Sequence, residues 1–435
     1  MSEANLSNFG AVGPGGAGRI DSANAQQVYV LTKSISDIPN LLNLIPNDGL
    51  AWVTGPAMDQ RGIVATGELD RYEVGGAERF SRAQSWWRNW SSKSIGDEPI
   101  AFSSFTFAND SGTSVVVIPE IVVRRDLTGT TLTVLSTNPI TEEYFVKVTE
   151  NLLKPRSVKT QELNPQFKAG SRPVEEWQGA VDESIRRINN GELDKVVLAR
   201  DIVATLSEPL DVGSLLRELN RTFPECWTFA VDGLVGATPE LLIKREGNQV
   251  TSRVLAGTIR RSSDDVRNDE LAAKLLGSNK DLEEHEYAVA SVAAALATHC
   301  IDLDVPVKPF ILQLANVQHL GTDVTGELVD GAPVLALAAS LHPTAAVCGT
   351  PTERASALIK EIEGMDRWRY SAPVGWMNKS GDGEMGIALR CAAIENTART
   401  QLRLFAGCGI VSGSTGEAEV AESKSKFSAM INALI

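Results

Sequence analysis

The five cysteines, Cys226, Cys300, Cys348, Cys391 and Cys408, are odd in number and widely scattered, which argues against both a zinc-ligating motif and a disulfide framework. Reduced, mainly structural thiols are expected. Histidine is also scarce, and His285 has no second histidine at metalloprotease spacing, so hydrogen bonding is the expectation there rather than zinc ligation. No run of eighteen uninterrupted apolar residues offers a membrane span, and the opening "MSEANLSNFGAVGPGGAGR" has neither the basic start nor the apolar core of a secretion signal. The cytoplasm is therefore the expected compartment. Basic residues do not predominate: the formal charge is −14, which disfavours nucleic acid and anionic membrane as partners but still permits a local basic pocket for a small anion. Nucleotide signatures are missing too, because neither the glycine-rich start nor "GDGEMG" has the surroundings of a phosphate-binding loop.

With those classes set aside, a chain of 435 residues, 43% hydrophobic and 22% charged, has the balance of a folded enzyme. Residues 1–22 are expected to form a flexible segment, 23–169 a scaffold integrated into the enzyme fold, and 170–435 the catalytic region. Short β-rich runs ("VYVLTK", "GLAWVTG", "SVVVIPEIVV", "TLTVLS") and the helical "RFSRAQSWWRNWSS" mark the scaffold. In that helix Trp86, Trp87 and Trp90 read as packing residues. After an irregular connector, "VEEWQGAVDESIRRINNG" and "VGSLLRELNRTF" read as helices, while "DKVVLARDIVATL", "CWTFAVDGLVGA", "MGIALRCAAIE" and "TQLRLFAGCGIV" each read as one strand. A break near Gly277 divides a long helical stretch in two. The sum is a mixed α/β enzyme of unspecified strand order.

Two groups of residues carry candidate chemistry. In a terminal helix Glu419, Glu422 and Lys426 share a face, and in "KDLEEHEY" so do Asp281 and Glu284. Facing one another, such helices would hold a hard cation, Mg²⁺, through Glu284 and Glu422, with Asp281 and Glu419 close by or bridged by water. The plainer alternative is two solvated acidic faces balanced by lysine. The second group is Lys195, Glu240, Tyr370 and Arg390, with Lys426 as an added anchor. An arginine fork and a phenol suit a small anionic substrate, although each residue taken singly has an ordinary structural reading.

Together "DKVVLAR", "GATPELLI", "LAGTIRR", "KDLEEHEYAV", "VQHLGTDVTG", "LHPTAAVCGTP", "YSAPVGWMNKSGDGEMGIALR" and "GCGIVSGSTGEAEVAESKSKF" strongly resemble the chorismate-utilizing enzyme family, most closely its isochorismate synthase branch, over residues 170 to 430. The resemblance implies a large fold of layered sheets and surrounding helices, and a reversible, Mg²⁺-dependent conversion of chorismate to isochorismate, with water added at C2 and hydroxyl lost at C4. By the same resemblance Lys195 activates water, Glu240 protonates the departing hydroxyl, and Glu284, Glu422, Asp281 and Glu419 form the metal set. Arg390 and Tyr370 meet the enolpyruvyl carboxylate, Lys426 supports the anionic end, Gly257, Thr258 and Gly409 line the substrate, and His319 orients the ring. For these roles Glu240 has to keep its proton, and Lys195 has to shed one, near neutrality; a direct ion pair between them would favour the opposite forms.

Lys195 stands where anthranilate-forming relatives place glutamine, and Ala256 where aminodeoxychorismate-forming relatives commonly place lysine, so no obligate glutamine amidotransferase partner is expected. Ala346 replaces the threonine usual in salicylate synthases, which favours release of isochorismate; salicylate synthesis with pyruvate elimination and a noncatalytic small-acid sensor are the alternatives. Menaquinone and siderophore biosynthesis are both compatible settings, and a monomer is expected. Trp368, Ala372 and Gly416 depart from the family pattern, standing where two glycines and a proline are usual.

Overall fold

The computed structural model describes residues 27–154, 161–262 and 264–435, so the segment 1–22 and part of the connector lie outside the described residues. The β-rich runs of the scaffold become strands Val28–Ile35, Leu50–Thr54, Ser114–Ile118, Ile121–Asp126 and Gly129–Ser136, with helix Arg79–Ser91 packed among them. In that helix Trp87 is buried and stacks on Trp90, while Trp86 stacks on Tyr72. Among the described residues the strands assemble into one thirteen-stranded and one ten-stranded sheet. Segments before and after residue 170 share both: Leu50–Thr54 pairs with Trp227–Val231 in the larger sheet, and Ile100–Ser104 with Pro373–Asn378 in the smaller.

A large hydrophobic core draws Trp52, Phe229 and Leu198 from the larger sheet and Phe102, Ile243 and Val254 from the smaller. A second lies between the larger sheet and the helices Val212–Thr222 and Gly416–Leu434, through Leu215, Leu219, Leu404, Phe427 and Met430. The helices Asn279–Leu296 and Val334–Leu341 pack on the smaller sheet. This is a layered, mixed α/β fold. No helix among the described residues is long and apolar enough to cross a membrane. All five cysteines are buried and unbridged.

Two expectations change in a way that matters for the site. "CWTFAVDGLVGA" is not one strand but a hairpin, Trp227–Val231 and Leu234–Thr238, turned at Asp232 and Gly233, both with positive φ as a tight hairpin turn requires. "MGIALRCAAIE" likewise divides into Gly383–Ile387 in the smaller sheet and Cys391–Ile394 in the larger. Arg390, φ 45°, sits where the chain passes from one sheet to the other. Glu240 sits at a second such passage, between Leu234–Thr238 in the larger sheet and Leu241–Glu246 in the smaller. The two passages are joined: Ile387 N donates to Glu240 O (3.1 Å), Ala237 N to Arg390 O (3.2 Å) and Thr238 Oγ1 to Ile387 O (2.6 Å).

A buried ion pair braces this region. Arg367 bonds Glu363 and donates to Val197 O (2.6 Å) and Val347 O (2.8 Å), while Glu363 accepts from Ala199 N (2.7 Å). Replacing Arg367 with methionine leaves the Glu363 carboxylate buried without its cation and should lower stability by about 3–5 kcal/mol in urea unfolding. Replacing Glu361, whose bridge to Arg187 is exposed, should leave the midpoint unchanged.

Candidate active site

A small cavity of about 80 Å³ opens between the two sheets, where their strands part at the passages carrying Glu240 and Arg390. Glu240, Gly257, Thr258, Glu284, His319, Ala346, Tyr370, Arg390, Gly409 and Lys426 all line it, with Val197, Leu255, Val347, Leu389 and Phe405 as apolar walls. A ring-sized ligand enters so small a space only if lining side chains move. A larger cleft of about 960 Å³, beside Arg79, His342 and Lys360, contains none of the sequence-derived candidates. Size therefore does not identify the site; convergent polar chemistry does.

Lys195 begins the strand Lys195–Thr205 and has no exposed surface. Its Nζ lies 3.2 Å from Glu284 Oε1 but is not aligned for a hydrogen bond, and has no hydrogen-bond partner among the described residues. Among the described residues Lys195 and Glu240 form no ion pair; Glu284 takes the lysine's charge instead. Burial pushes Glu240 up to about 8, against the opposing field of Lys195, so this carboxyl carries its proton at neutrality. Burial also opposes ionisation of Glu284, but Lys195, Lys426 and Lys280 outweigh it and hold that carboxyl below its ordinary value.

Thr258 enters the cavity through a bulge. In the strand Gln249–Arg260 the residues Ala256 and Thr258 pair with consecutive residues Leu320 and His319, leaving Gly257 unpaired at φ 76°, a conformation that glycine adopts without strain. Thr258 Oγ1 is consequently 3.0 Å from His319 Nδ1, and His319 Nε2 is 2.5 Å from Arg390 Nη2. The Tyr370 ring is held by stacking on Phe405, with centroids 5.1 Å apart. Gly409 packs beside Glu284 and the Lys195 stem.

The four acidic candidates separate. Glu419 and Glu422, on the helix Gly416–Leu434, converge with Cys408 so that one ligand atom of each lies within 4.8 Å of the others. Glu422 pairs with Lys426 at 2.7 Å and Glu419 with Lys280 at 3.7 Å. Asp281 does not line the cavity: Ser278, the N-cap of the helix Asn279–Leu296, donates its hydroxyl to the Asp281 carboxylate. Buried Glu419 leaves Oε2 without a hydrogen-bond partner among the described residues. Burial, together with the neighbouring charge of Glu422, raises Glu419 to about 7. Crowded carboxylates with an orphaned oxygen fit a hard divalent cation. Cys408 does not alter that donor set, because burial pushes its thiol well above the ordinary range and its Sγ bonds Glu419 O at 3.4 Å.

Sequence reasoning missed this neighbour of the acidic pair. Strand alternation in Gln401–Ile410 gives the signal: with Gly407 and Gly409 facing the cavity, Cys408 faces the helix. It also missed the contact between Arg390 and His319, which no spacing in the sequence announces.

A family model described as "Chorismate binding enzyme" matches residues 20–435. The chain belongs to the chorismate-binding enzyme family. Isochorismate synthase DhbC of Bacillus subtilis is 42% identical over 272 residues, covering 60% of this chain and 68% of that one. Isochorismate synthase MenF of the same organism is 36% identical over 264 residues, covering 60% of this chain but only 55% of that one. Among solved structures, a Bacillus anthracis chain provisionally named as a 2,3-dihydroxybenzoate-specific isochorismate synthase, DhbC, superposes with TM-score 0.75 at 33% identity, covering 91% of this chain and 98% of that one.

Within this chorismate-binding enzyme the substituted family positions lie off the cavity wall. Trp368, φ 50°, is outside the lining and packs its ring under the Arg369 guanidinium, 3.8 Å from the ring centre. Ala372 is buried and its carbonyl accepts from Ala388 N at 2.9 Å. Gly416 opens the helix of Glu419 and Glu422 against Gln178 and Asp182.

The raised pKa of Glu240 links stability to pH. Its carboxyl ionises near 4.5 when unperturbed and near about 8 in the fold, so the stability attached to its proton is complete below the lower value and drains away as pH climbs through the higher. Melting temperature measured from pH 6 to 9 should fall more steeply for the native chain than for Glu240→Gln, with the variant gaining on the order of a few kcal/mol at the alkaline end. Parallel curves would contradict this.

Proposed function

We propose that the protein is an isochorismate synthase, converting chorismate reversibly to isochorismate. The observation that carries the reading is a carboxyl and a lysine held apart: Glu240 lines the cavity, buried and protonated with no ion-pair partner among the described residues, while Lys195 is buried behind Glu284, which also lines it. Membership in the family and similarity to the isochorismate synthases named above support it.

In this mechanism Arg390 and Tyr370 receive the enolpyruvyl carboxylate, and Lys426 adds positive potential at the anionic end. The two unpartnered nitrogens of Arg390, Nε and Nη1, provide the donors for the first of these contacts. From its neutral form, Lys195 takes a proton from water as the water oxygen bonds C2; Glu240 gives its proton to the C4 hydroxyl, which leaves as water while the ring double bonds shift. One water enters and one departs, so substrate and product are isomers. Glu284, Glu422 and Glu419 would hold Mg²⁺, with Asp281 behind them; when bound, the ion supplies positive charge that fixes a carboxylate and stabilises the transition state. Ala346 offers no hydroxyl to the cavity, which supports release of isochorismate before pyruvate is eliminated.

The test is incubation of purified protein with chorismate, with and without Mg²⁺, and chromatographic separation of the equal-mass isomers. Isochorismate is expected with Mg²⁺, and Lys195→Ala or Glu240→Gln should each lower the rate at least about 100-fold. Stoichiometric salicylate and pyruvate, or binding without conversion, would overturn the reading. Because the acid must be protonated, the rate in the native enzyme should decline as pH passes about 8. Calorimetric titration should show weakened Mg²⁺ binding in Glu422→Gln, independently of turnover.

A further inference from the structure

We propose that Arg390 fixes the ring of His319 with its proton on Nδ1, and that this leaves the Thr258 hydroxyl proton free to be donated to the substrate. A guanidinium has donors and no acceptor. With Arg390 Nη2 2.5 Å from His319 Nε2, that ring nitrogen has to be the acceptor and carries no proton. The ring is neutral, since burial and then the charges of Arg390 and Lys426 hold it well below the usual histidine range. Its single proton therefore sits on Nδ1, 3.0 Å from Thr258 Oγ1. The ring donates, the threonine oxygen accepts, and the threonine's own proton is left over. Among the described residues Thr258 Oγ1 has no other hydrogen-bond partner. The bulge at Gly257 directs that side chain into the cavity.

For recognition, Thr258 presents a free proton to an acceptor on the ligand: a hydroxyl, ether, carbonyl or carboxylate oxygen. Arg390 sets the ring's tautomer while keeping Nε and Nη1 for an anionic oxygen, both being buried without a hydrogen-bond partner among the described residues. Arg390 and His319 are thus positioning residues for Thr258, which touches the substrate.

The identity of the oxygen rests on the chorismate reading; the tautomer does not. Protein labelled with nitrogen-15 at its four histidines, examined without substrate and with the His319 signals assigned by a His319→Gln variant, should show Nε2 unprotonated and Nδ1 protonated. Arg390→Lys, which retains a donor, should preserve that pattern, and Arg390→Met should let the Nε2–H form appear. An Nε2–H signal from the native protein, or the native pattern in a folded Arg390→Met variant, would overturn the proposal. For the second half, Thr258→Val should lower kcat/KM for chorismate about tenfold, chiefly through KM, with melting temperature and tautomer unchanged, whereas Thr258→Ser should stay within about twofold. Equal kcat/KM for the valine variant and the native enzyme would reject the donor role. A protein that converts no chorismate sinks the functional reading and leaves the spectrum to decide this one.

Discussion

A lysine with no exposed surface calls for a carboxylate beside it, and Lys195 has Glu284 at 3.2 Å. Its partner, Glu284, feels Lys426 and Lys280 as well; Lys426 is paired with Glu422, and Lys280 with Glu419. Charge in this part of the molecule therefore alternates through a chain of lysines and glutamates that crosses from the strand Lys195–Thr205 to two helices. Glu240 is the carboxyl left outside the chain. Without a close cation, burial decides its state and it stays protonated. One arrangement thus gives two acidic residues of the same cavity opposite forms, ionised at Glu284 and neutral at Glu240, and it is the neutral one that can act as a proton donor.

Such an arrangement works only if the backbone holds its members still. Arg367 and Glu363 clamp Val197, Ala199 and Val347 through backbone atoms, so the strand beginning at Lys195 and the segment carrying Ala346 are tied to one buried pair. On the opposite face of that strand Arg200 donates to Ser423 at 3.1 Å and lies over the Phe427 ring, gripping the helix that carries Glu419, Glu422 and Lys426. The passages between sheets contribute the remaining constraint. Each strand there has to end for the chain to change layers, and the residue at the change, Glu240 or Arg390, has its side chain in the gap between layers rather than on a pleated face.

Periodicity in the sequence reveals elements but not such changes of layer. Lys195 and its apolar run, the two helices divided at Gly277, and the shared face of Glu422 and Lys426 are local features, and local spacing is enough to find them. "MGIALRCAAIE" shows the limit: its apolar run is continuous, and nothing in composition says that Arg390 turns the chain from one sheet into the other. The carboxylates illustrate the same point. Helical spacing puts Asp281 on the face of Glu284, yet Asp281 is drawn into the cap of its own helix by Ser278. Which of two acidic residues reaches the cavity depends on a competing hydrogen bond a few residues away, and capping by serine is legible in principle from "SNKD". The motif resemblance bridges part of this gap, since it transmits tertiary proximity that spacing cannot encode.

The residues that the motif resemblance sets apart, Gly416 and Trp368, have a physical reading in the structure. A proline at the first position of a helix is ordinarily favourable, because its missing N–H has no partner there anyway. At Gly416, however, a Cβ would lie 2.6 Å from Asp182 Oδ1 and 2.7 Å from Gln178 Cγ, so a proline would push these two side chains of the helix Val174–Asn189 aside. Glycine allows the two helices to meet closely, and Thr415 restores order to the start by accepting from Ala418 N at 3.3 Å. Trp368 is the converse case. Its positive φ explains why glycine is usual at that position, and a tryptophan there is strained by its backbone. Contacts offset the strain: Trp368 N donates to Asp366 at 2.8 Å, its carbonyl accepts from Phe107 N at 2.8 Å, and its ring lies against Arg369, which Asp232 holds at 2.7 Å. Both substitutions are compensated within the scaffold that surrounds the cavity, so the chain of charge from Lys195 to Glu422 keeps its geometry while the packing around it differs.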